Sequence, residues 1–476
     1  MRSPHILRGF ITSRGPHEIL PHWSRLWALF LGAGALAACH NYTPNLAVDG
    51  AGCVSSFAIP DRAPVAPLRN GAATFDSAWT IIARSHWDTT YNGVRWTAVR
   101  DSLRPRAAAA RNAVELRTVL AQMVGTLGQS HFSIIPGASN LGGPRGGDQS
   151  GSVGATIRDV NGAMLVTAVR AGGPADRAGV RPGFAIEAVD GCRVAGRVKS
   201  ADERRAKLVH WSAVTAMLRG AVRDSAHIRL QDGNGKSVTL AVVRESEPGL
   251  ITRVGNLPPI SAQLLIEKRV IDGRTIGIIR FSTWMAVLAE GIGNAIDSFR
   301  GADAIVLDIR GNFGGVAMMA PGVAGHFIDT SLTLGTMIQR GGAQQFVVNP
   351  QRVNSANKRV KPFGGPVAIV VDELSISTSE IFASGMQALG RARVFGAQSA
   401  GQALPSVAER LPNGDILYHA IANFLSPTGK PVEGTGVVPD VAVPVTRSQL
   451  LQGRDPALDA ALVWAASGPK QTARLQ

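Results

Sequence analysis

Residues 367–389 read VAIVVDELSISTSEIFASGMQAL. The run Val367–Val371 is apolar without alternation, the pattern of a strand buried on both faces of a parallel sheet. Small hydroxyl residues follow, and helical spacing starts at Ser379 and continues to Leu389. A strand that turns directly into a helix holds one side chain at the helix N-terminus, beside unpaired amides and the positive end of the dipole. An acyl-transfer nucleophile needs that setting, because the developing oxyanion must meet donors already in place. Ser377-Thr378-Ser379-Glu380 is also a capping box, with Ser377 as N-cap and Glu380 three residues on. Alone, the segment reads as a cap before it reads as a nucleophile.

Its neighbours change that reading. Upstream, AIVLDIRGNFGG (304–315) is a second buried strand that breaks into glycines. Glycines after a strand let backbone approach a substrate and aim amides at an oxyanion. TIGIIRF (275–281) and ARVFGA (392–397) read as strands, and 290–299 and 316–327 as helices. Strands and helices in alternation predict an α/β core with a parallel sheet covered on both faces. DILYHAIANFL (415–425) alternates more and predicts a hairpin region.

Towards the N-terminus the pattern shifts twice. Residues 153–243 are short strands and turns, with a helix start at Pro174 and a longer helix from about 201 to 218. A glycine-rich break, 137–151, separates them from helical periodicity between Phe75 and Leu127. Residues 40–70, rich in Pro, Ala and Asn, read as a tether. Leu26–Ala38 is an apolar stretch of 13, short for a bilayer span and suited to a signal-peptide core. Cys39 closes it directly after two alanines.

The chain of 476 residues carries 49 Lys+Arg against 34 Asp+Glu, a formal +15. Its basic residues form no run, so the charge reads as an Arg-rich bias, and no nucleic-acid motif is present. Three cysteines and no C-x-x-C or H-E-x-x-H spacing argue against a metal site. Cys53 and Cys192 read as thiols and not as a disulfide pair.

Together with GAQSAGQALPS (396–406), TGKPVEGTGVVPD (428–440) and SHF (130–132), these segments resemble the S41, or tail-specific, serine peptidases over about 75–445. The resemblance implies a ClpP/crotonase-like α/β catalytic core over 258–447, a helical N-terminal domain over 71–136, and an inserted PDZ-like β-rich domain over 152–246. A signal peptide (1–38), the tether (39–70) and a C-terminal tail (448–476) complete the expected organisation. The carboxyl-terminal processing branch of that family uses a Ser-Lys dyad, but Gln402 stands where the lysine is expected, and an amide cannot take a proton from serine. The tricorn-like and retinoid-binding-protein-like branch uses Ser, His and an acid, and Ser130-His131 and Glu433-Gly434-Thr435-Gly436-Val437 are similar to its motifs. The resemblance therefore implies Ser377 as nucleophile, His131 as base, Glu433 as its orienting acid, and the amides of Gly315 and Thr378 as oxyanion hole. His86, His326, His419 and Lys430 are the alternative bases. Asp308, Arg310 and Asn312 read as supports of the glycine turn.

GGPADRAGV (172–180) and the strand and Asp190-Gly191 turn after it resemble bacterial PDZ domains, with Phe184 where an Asp is usual. By that resemblance Val153, Gly154, Ala155 and Thr156 form the edge that binds a peptide carboxylate. LAAC (36–39) resembles a lipobox, which implies a lipidated Cys39 and a periplasm-facing envelope protein, on the outer membrane from His40. The expected activity is acyl-enzyme hydrolysis of unfolded or tail-exposed polypeptides without metal or organic cofactor. The alternative is a non-catalytic, lipid-anchored protein that binds peptides or apolar ligands.

Overall fold

The structure, a computed structural model, describes residues 68–137, 151–194, 196 and 202–468. Cys39, Cys53, the apolar stretch before them and nearly all of the tether lie outside the described residues.

Three helices, α1 (Gly71–Ser85), α2 (Trp96–Ala108) and α3 (Ala113–Gly125), open the chain. Asn112 starts α3 by accepting from the amides of Val114 and Glu115. Phe75, Ile82, Leu116, Leu120 and Met123 bury their faces against one another and against Leu404 and Leu417 from far along the chain. Strand β1 (Ser133–Ile135) follows and pairs antiparallel with residues 416–418. The helical region is thus sewn into the C-terminal half immediately after His131.

The β-rich domain comprises β2 (Ala155–Val160), β3 (Ala163–Val169), the short helix α4 (Pro174–Arg177), β4 (Ala185–Val189), α5 (Glu203–Leu218), β5 (Ser225–Gln231) and β6 (Ser237–Val243). Its sheet runs β2-β3-β4-β5-β6, all antiparallel, so β2 is an edge, and α5 packs beside it. Cys192 is buried here.

From Leu264 onward the strands are β7 (Leu264–Ile271), β8 (Arg274–Phe281), β9 (Ala304–Asp308), β10 (Thr333–Gln339), β11 (Gly342–Val347), β12 (Val367–Val371), β13 (Arg393–Gly396), β14 (Ser406–Arg410), β15 (Ile416–Ala420), β16 (Ala422–Leu425) and β17 (Val441–Ala442). The main sheet has the order β7-β8-β9-β12-β13-β17, antiparallel at β7 and parallel thereafter. Helices α6 (Ala286–Ser298), α7 (Met319–Ala324) and α8 (Thr378–Ala388) lie on one face, where Ile292, Ile296, Phe382 and Met386 meet Ile305, Leu307 and Ile369. Helices α9 (Arg447–Leu451) and α10 (Pro456–Ala466) follow β17, and Ala461 and Ala465 of α10 cover the opposite face over Val306, Ala368 and Phe395. Both faces are covered, as the unalternating strands require.

Three local expectations differ. The helix expected over 316–327 is only α7, because a parallel bridge of Gly315 to Trp284, with the Val316 amide donating to the Trp284 carbonyl (2.6 Å), keeps the backbone extended where the helix was expected to begin. The hairpin expected within 415–425 is split: β15 pairs with β14 and β1, whereas β16 pairs with β10. Residues 448–476 were expected to form a tail, yet α10 within them caps a sheet face, since its small and apolar residues match that surface.

Gly277 in β8 lies under Phe299, whose ring a Cβ would meet at 2.3 Å. Gly277→Ala is expected to cost about 1–3 kcal/mol by overpacking. Guanidinium unfolding of the purified protein checks this, and an unchanged midpoint would contradict the packing described.

Candidate active site

Ser377 is the N-cap of α8 and has φ +57° and ψ −116°. An L-residue holds such a conformation only where its surroundings compel it. Here the Ser377 amide donates to the Gln402 carbonyl (2.9 Å) and to Glu380 Oε2 (3.1 Å). On either side, the Ile376 amide (3.0 Å) and Ser379 Oγ (2.9 Å) both donate to the Asn312 carbonyl. Trp284 Nε1 in turn donates to Ser379 Oγ (2.9 Å).

Glu380 does more than cap. Fully buried, it also accepts from Ser399 Oγ (2.6 Å), the Gly401 amide (2.7 Å) and the Gln402 amide (2.9 Å). Burial pushes its carboxyl up to about 7 against the pull of these donors. Ser399 Oγ accepts the Val437 amide (2.6 Å), so one carboxylate ties the Ser377, Gln402 and Glu433 segments together.

The glycine turn is pressed against Ser377. Gly314 has φ +92°, and a Cβ there would stand 2.7 Å from Ser377 Cβ; at Gly315, with φ +151°, it would stand 2.2 Å from the Trp284 carbonyl oxygen. Asn312 braces the turn, accepting from the Gly314 amide (3.0 Å) and donating to the Phe281 carbonyl (2.9 Å). Thr378 Oγ1 donates to the Gly315 carbonyl (2.9 Å). The amides of Gly315 and Thr378 make no hydrogen bond among the described residues, which leaves two donors unspent around Ser377. Behind the turn, against the cost of burial, Arg310 and Arg280 hold the Asp308 carboxyl well below the usual range, and Arg310 reaches on to Asp455 (2.7 Å).

His131 is buried with φ +60°, and its Nδ1 lies 2.7 Å from Ser130 Oγ. Ser130 Oγ donates to Glu433 Oε2 (2.9 Å), and the Ser130 amide donates to Oε1 (3.0 Å). Since the Ser130 proton points to the carboxylate, its oxygen accepts Nδ1–H, and the Nε2 lone pair is left for a proton. Burial lowers His131 to about 4 and raises Glu433 above the ordinary glutamate value. The Ala403 amide also donates to Glu433 Oε2 (2.9 Å). Gln402 and Ala403 therefore hold Ser377 with a carbonyl and Glu433 with an amide from one dipeptide. The structure brings Ser130, His131 and Glu433 into one hydrogen-bonded chain and joins it to Ser377 through that dipeptide. Among the described residues no direct hydrogen bond links Ser377 to His131.

With this geometry in place the comparisons are decisive. Residues 275–443 match the family described as Peptidase family S41, and residues 70–125 match the Tricorn protease C1 domain. Residues 275–443 thus carry an S41 peptidase domain. The chain is similar to the carboxyl-terminal-processing protease of a Synechocystis strain, 25% identical over 371 residues, 77% of this chain and 79% of that one. The chloroplastic carboxyl-terminal-processing peptidase 3 of Arabidopsis thaliana is 28% identical over 375 residues, 77% and 68% of the two chains. In fold, the photosystem II D1 C-terminal processing protease covers 82% of this chain and 99% of its own at TM-score 0.53 and 21% identity. Mature CPAF covers 85% and 99% at TM-score 0.56 and 13% identity. This S41 chain is accordingly a serine-type peptidase.

Two of the four rival bases are otherwise engaged. His86 is held by the Asp88 carbonyl (2.8 Å) and Gln129 (2.9 Å), and His419 by Ser85 (3.2 Å) and Glu409 (3.1 Å). His326 stands beside Gly293 and Arg300, and Lys430 is exposed in a turn. Two residues were missed from sequence: Ser130, which the Ser-His pairing itself marked, and Glu380, recognised only as a cap. The Val153–Thr156 segment leads into β2 at the edge of the β-rich sheet; the Val153 carbonyl accepts from Ala175 (2.9 Å) and that of Gly154 from Arg170 (2.9 Å). Between β2, α5 and residues 372–374 lies a cavity of about 540 Å³, lined in part by Val153, Trp211 and Glu373.

Because Glu380 is raised when folded, its proton is held more tightly in the native state between its unfolded value of 4.5 and about 7. Its contribution to stability is therefore complete below about pH 4.5 and is lost as pH rises towards 7. Glu380→Gln is expected to flatten that part of the stability–pH curve relative to wild type and to lower activity at every pH. Parallel denaturant titrations at pH 5 and 7.5 measure it; equal slopes in both proteins would refute it.

Proposed function

We propose that the chain cleaves polypeptides through an acyl-enzyme on Ser377, with His131 as base and Glu433 acting on His131 through Ser130. The observation that carries this reading is the chain Glu433–Ser130–His131, anchored by Ala403 next to the residue that grips Ser377. Ser377 Oγ attacks the carbonyl carbon as its proton passes to His131 Nε2. The oxyanion takes the unspent amides of Gly315 and Thr378. His131 returns the proton to the leaving amine, and water then repeats the sequence on the acyl group. The Ser377–His131 hydrogen bond forms on substrate binding, since such bonds are commonly loose in the free enzyme.

For substrate choice, we take the β2 edge beside α5 as a PDZ-type site. An extended chain would add a strand there, with its terminal carboxylate at Val153, Gly154, Ala155 and Thr156. C-terminal tails of unfolded or tail-exposed envelope proteins are then the substrates. The two proteins named for carboxyl-terminal processing support this direction. Lipidation at Cys39 would hold the enzyme to the membrane, facing the periplasm from the outer membrane. The non-catalytic alternative is not retained for a chain that carries this peptidase domain.

A fluorophosphonate probe should label wild type and fail to label Ser377→Ala, and labelling of that variant sinks the nucleophile assignment. With His131 lowered to about 4, the base is already neutral above roughly pH 5, so in Glu380→Gln, where the neighbouring carboxyl no longer titrates, the residual kcat/KM should hold flat from pH 7 down to 5. A fall with a midpoint near 6.5 would contradict a buried base. Gln402 serves the site through its backbone, so Gln402→Ala should keep activity within a few-fold, while His131→Ala should lose on the order of a thousandfold or more in kcat.

A further inference from the structure

One feature of the fold stands apart from both the peptidase site and the β-rich domain. Strand β7 is the antiparallel edge of the main sheet, eight residues long, and among the described residues nothing pairs with its outer side. Leu265 is 59%, Ile266 52% and Val270 63% exposed. A long edge strand with exposed apolar residues is a template for another strand. The question is which strand it fits.

We infer that β7 pairs antiparallel with β7 of a second copy, on a two-fold axis through Lys268, so that one sheet continues across a homodimer. The order of residues in Leu265-Ile266-Glu267-Lys268-Arg269-Val270-Ile271 sets this register. A two-fold axis between antiparallel neighbours stands normal to the sheet and keeps each side chain on its own face. Only residues an even number apart can therefore face each other, and one residue must lie on the axis. With Lys268 there, Glu267 faces Arg269 of the second copy, Ile266 faces Val270, and Leu265 faces Ile271. Every one of those pairs is complementary, and each occurs twice. An axis at Glu267 would set Ile266 against Lys268 and Leu265 against Arg269. An axis at Arg269 would set Lys268 against Val270 and Glu267 against Ile271. Lys268 is thus the centre that satisfies the strand.

Glu267 and Arg269 already form an ion pair within the strand (2.5 Å) and are about half exposed. In the dimer four such charges form a square across the axis, and cross-strand pairs of opposite charge or apolar type each stabilise by about 0.2–1 kcal/mol. The one like-charge meeting, Lys268 with itself, is on the face opposite that square, where a flexible stem can lean to water. Charges in the middle of an edge strand can also guard it against pairing. A guard repels its own copy, however, whereas Glu267 and Arg269 are arranged to attract theirs.

The test uses the full chain in density-matched detergent. Sedimentation equilibrium should give a dimer for wild type and a monomer for Ile266→Lys/Val270→Lys, with melting temperature and peptidase activity retained, since neither residue belongs to the catalytic machinery. Lys268→Cys should form a disulfide dimer on mild oxidation, because residues facing across an antiparallel pair have Cα atoms roughly 4.5–5.5 Å apart, inside disulfide range. Glu267→Cys, which faces Arg269 and not itself, should cross-link much less. A wild-type monomer, as expected if residues 469–476 cover the edge instead, overturns the inference. So does a dimer that survives the double lysine substitution, or cross-linking at 267 equal to that at 268.

Discussion

The catalytic half of this peptidase is organised around the carboxylate of Glu380, buried beneath the Ser377 turn. Four donors converge on it, from Ser377, Ser399, Gly401 and Gln402. A buried carboxylate is costly unless its lone pairs are taken up, and here each donor comes from a segment the site needs in place. Satisfying Glu380 therefore sets three loops in register at once. It fixes the end of α8, the turn after β13, and, through Ser399 and Val437, the loop that carries Glu433. The strained backbone of Ser377 is a consequence of this arrangement, because its amide is pinned by Glu380 and the Gln402 carbonyl together.

The β-rich domain is fastened to the same loops. Arg158 on β2 pairs with the nearly buried Asp372 (2.6 Å), which also accepts from the Gly311 and Leu374 amides on the two sides of the site. Trp211 on α5 meets Phe313 of the glycine turn at 5.2 Å between ring centroids. Arg204, the second residue of the same helix, donates to the carbonyls of Gly434 and Thr435 beside Glu433. Leu374, Ile376 and Ala400 belong to the apolar cluster of this domain and not to that of the main sheet. The insertion is therefore a structural wall of the active site as well as a candidate binding module.

Most of this was legible in the amino-acid order where a local rule governs. Val367–Val371 and Ala304–Asp308 declared themselves as buried strands, and the Ser377 turn and Gly314-Gly315 as the parts of a site. What escaped depends on contacts remote in sequence. Nothing local shows that Val316 spends its amide on Trp284, and so the helix there was overestimated. Residues 415–425 alternate as a hairpin would, yet their partners are Ser406–Arg410, β1 and β10, and Ile421, whose amide goes to the Pro405 carbonyl (2.9 Å), marks the change of sheet. Ser130 was hidden for a different reason. Its role follows from accepting on one side and donating on the other, which only the fold can arrange.

Gln402 shows why a side chain can change where a backbone cannot. Its carbonyl holds Ser377 and its amide holds Glu380, so the turn serves the site whatever side chain it carries. A lysine there would supply a base from the nucleophile's own side. In the mechanism proposed above the base comes instead from the segment between α3 and β1, on His131 with its positive φ. That arrangement demands that the N-terminal helices be sewn to the catalytic sheet, and β1 on β15 does so directly after His131. The apolar seam of Phe132 and Leu120 with Leu404 and Leu417 follows from the same demand. Burial at that seam lowers His131, so in the proposed mechanism Glu433 would stabilise an imidazolium only as it forms. On that proposal the packing of the helical region is part of the chemistry.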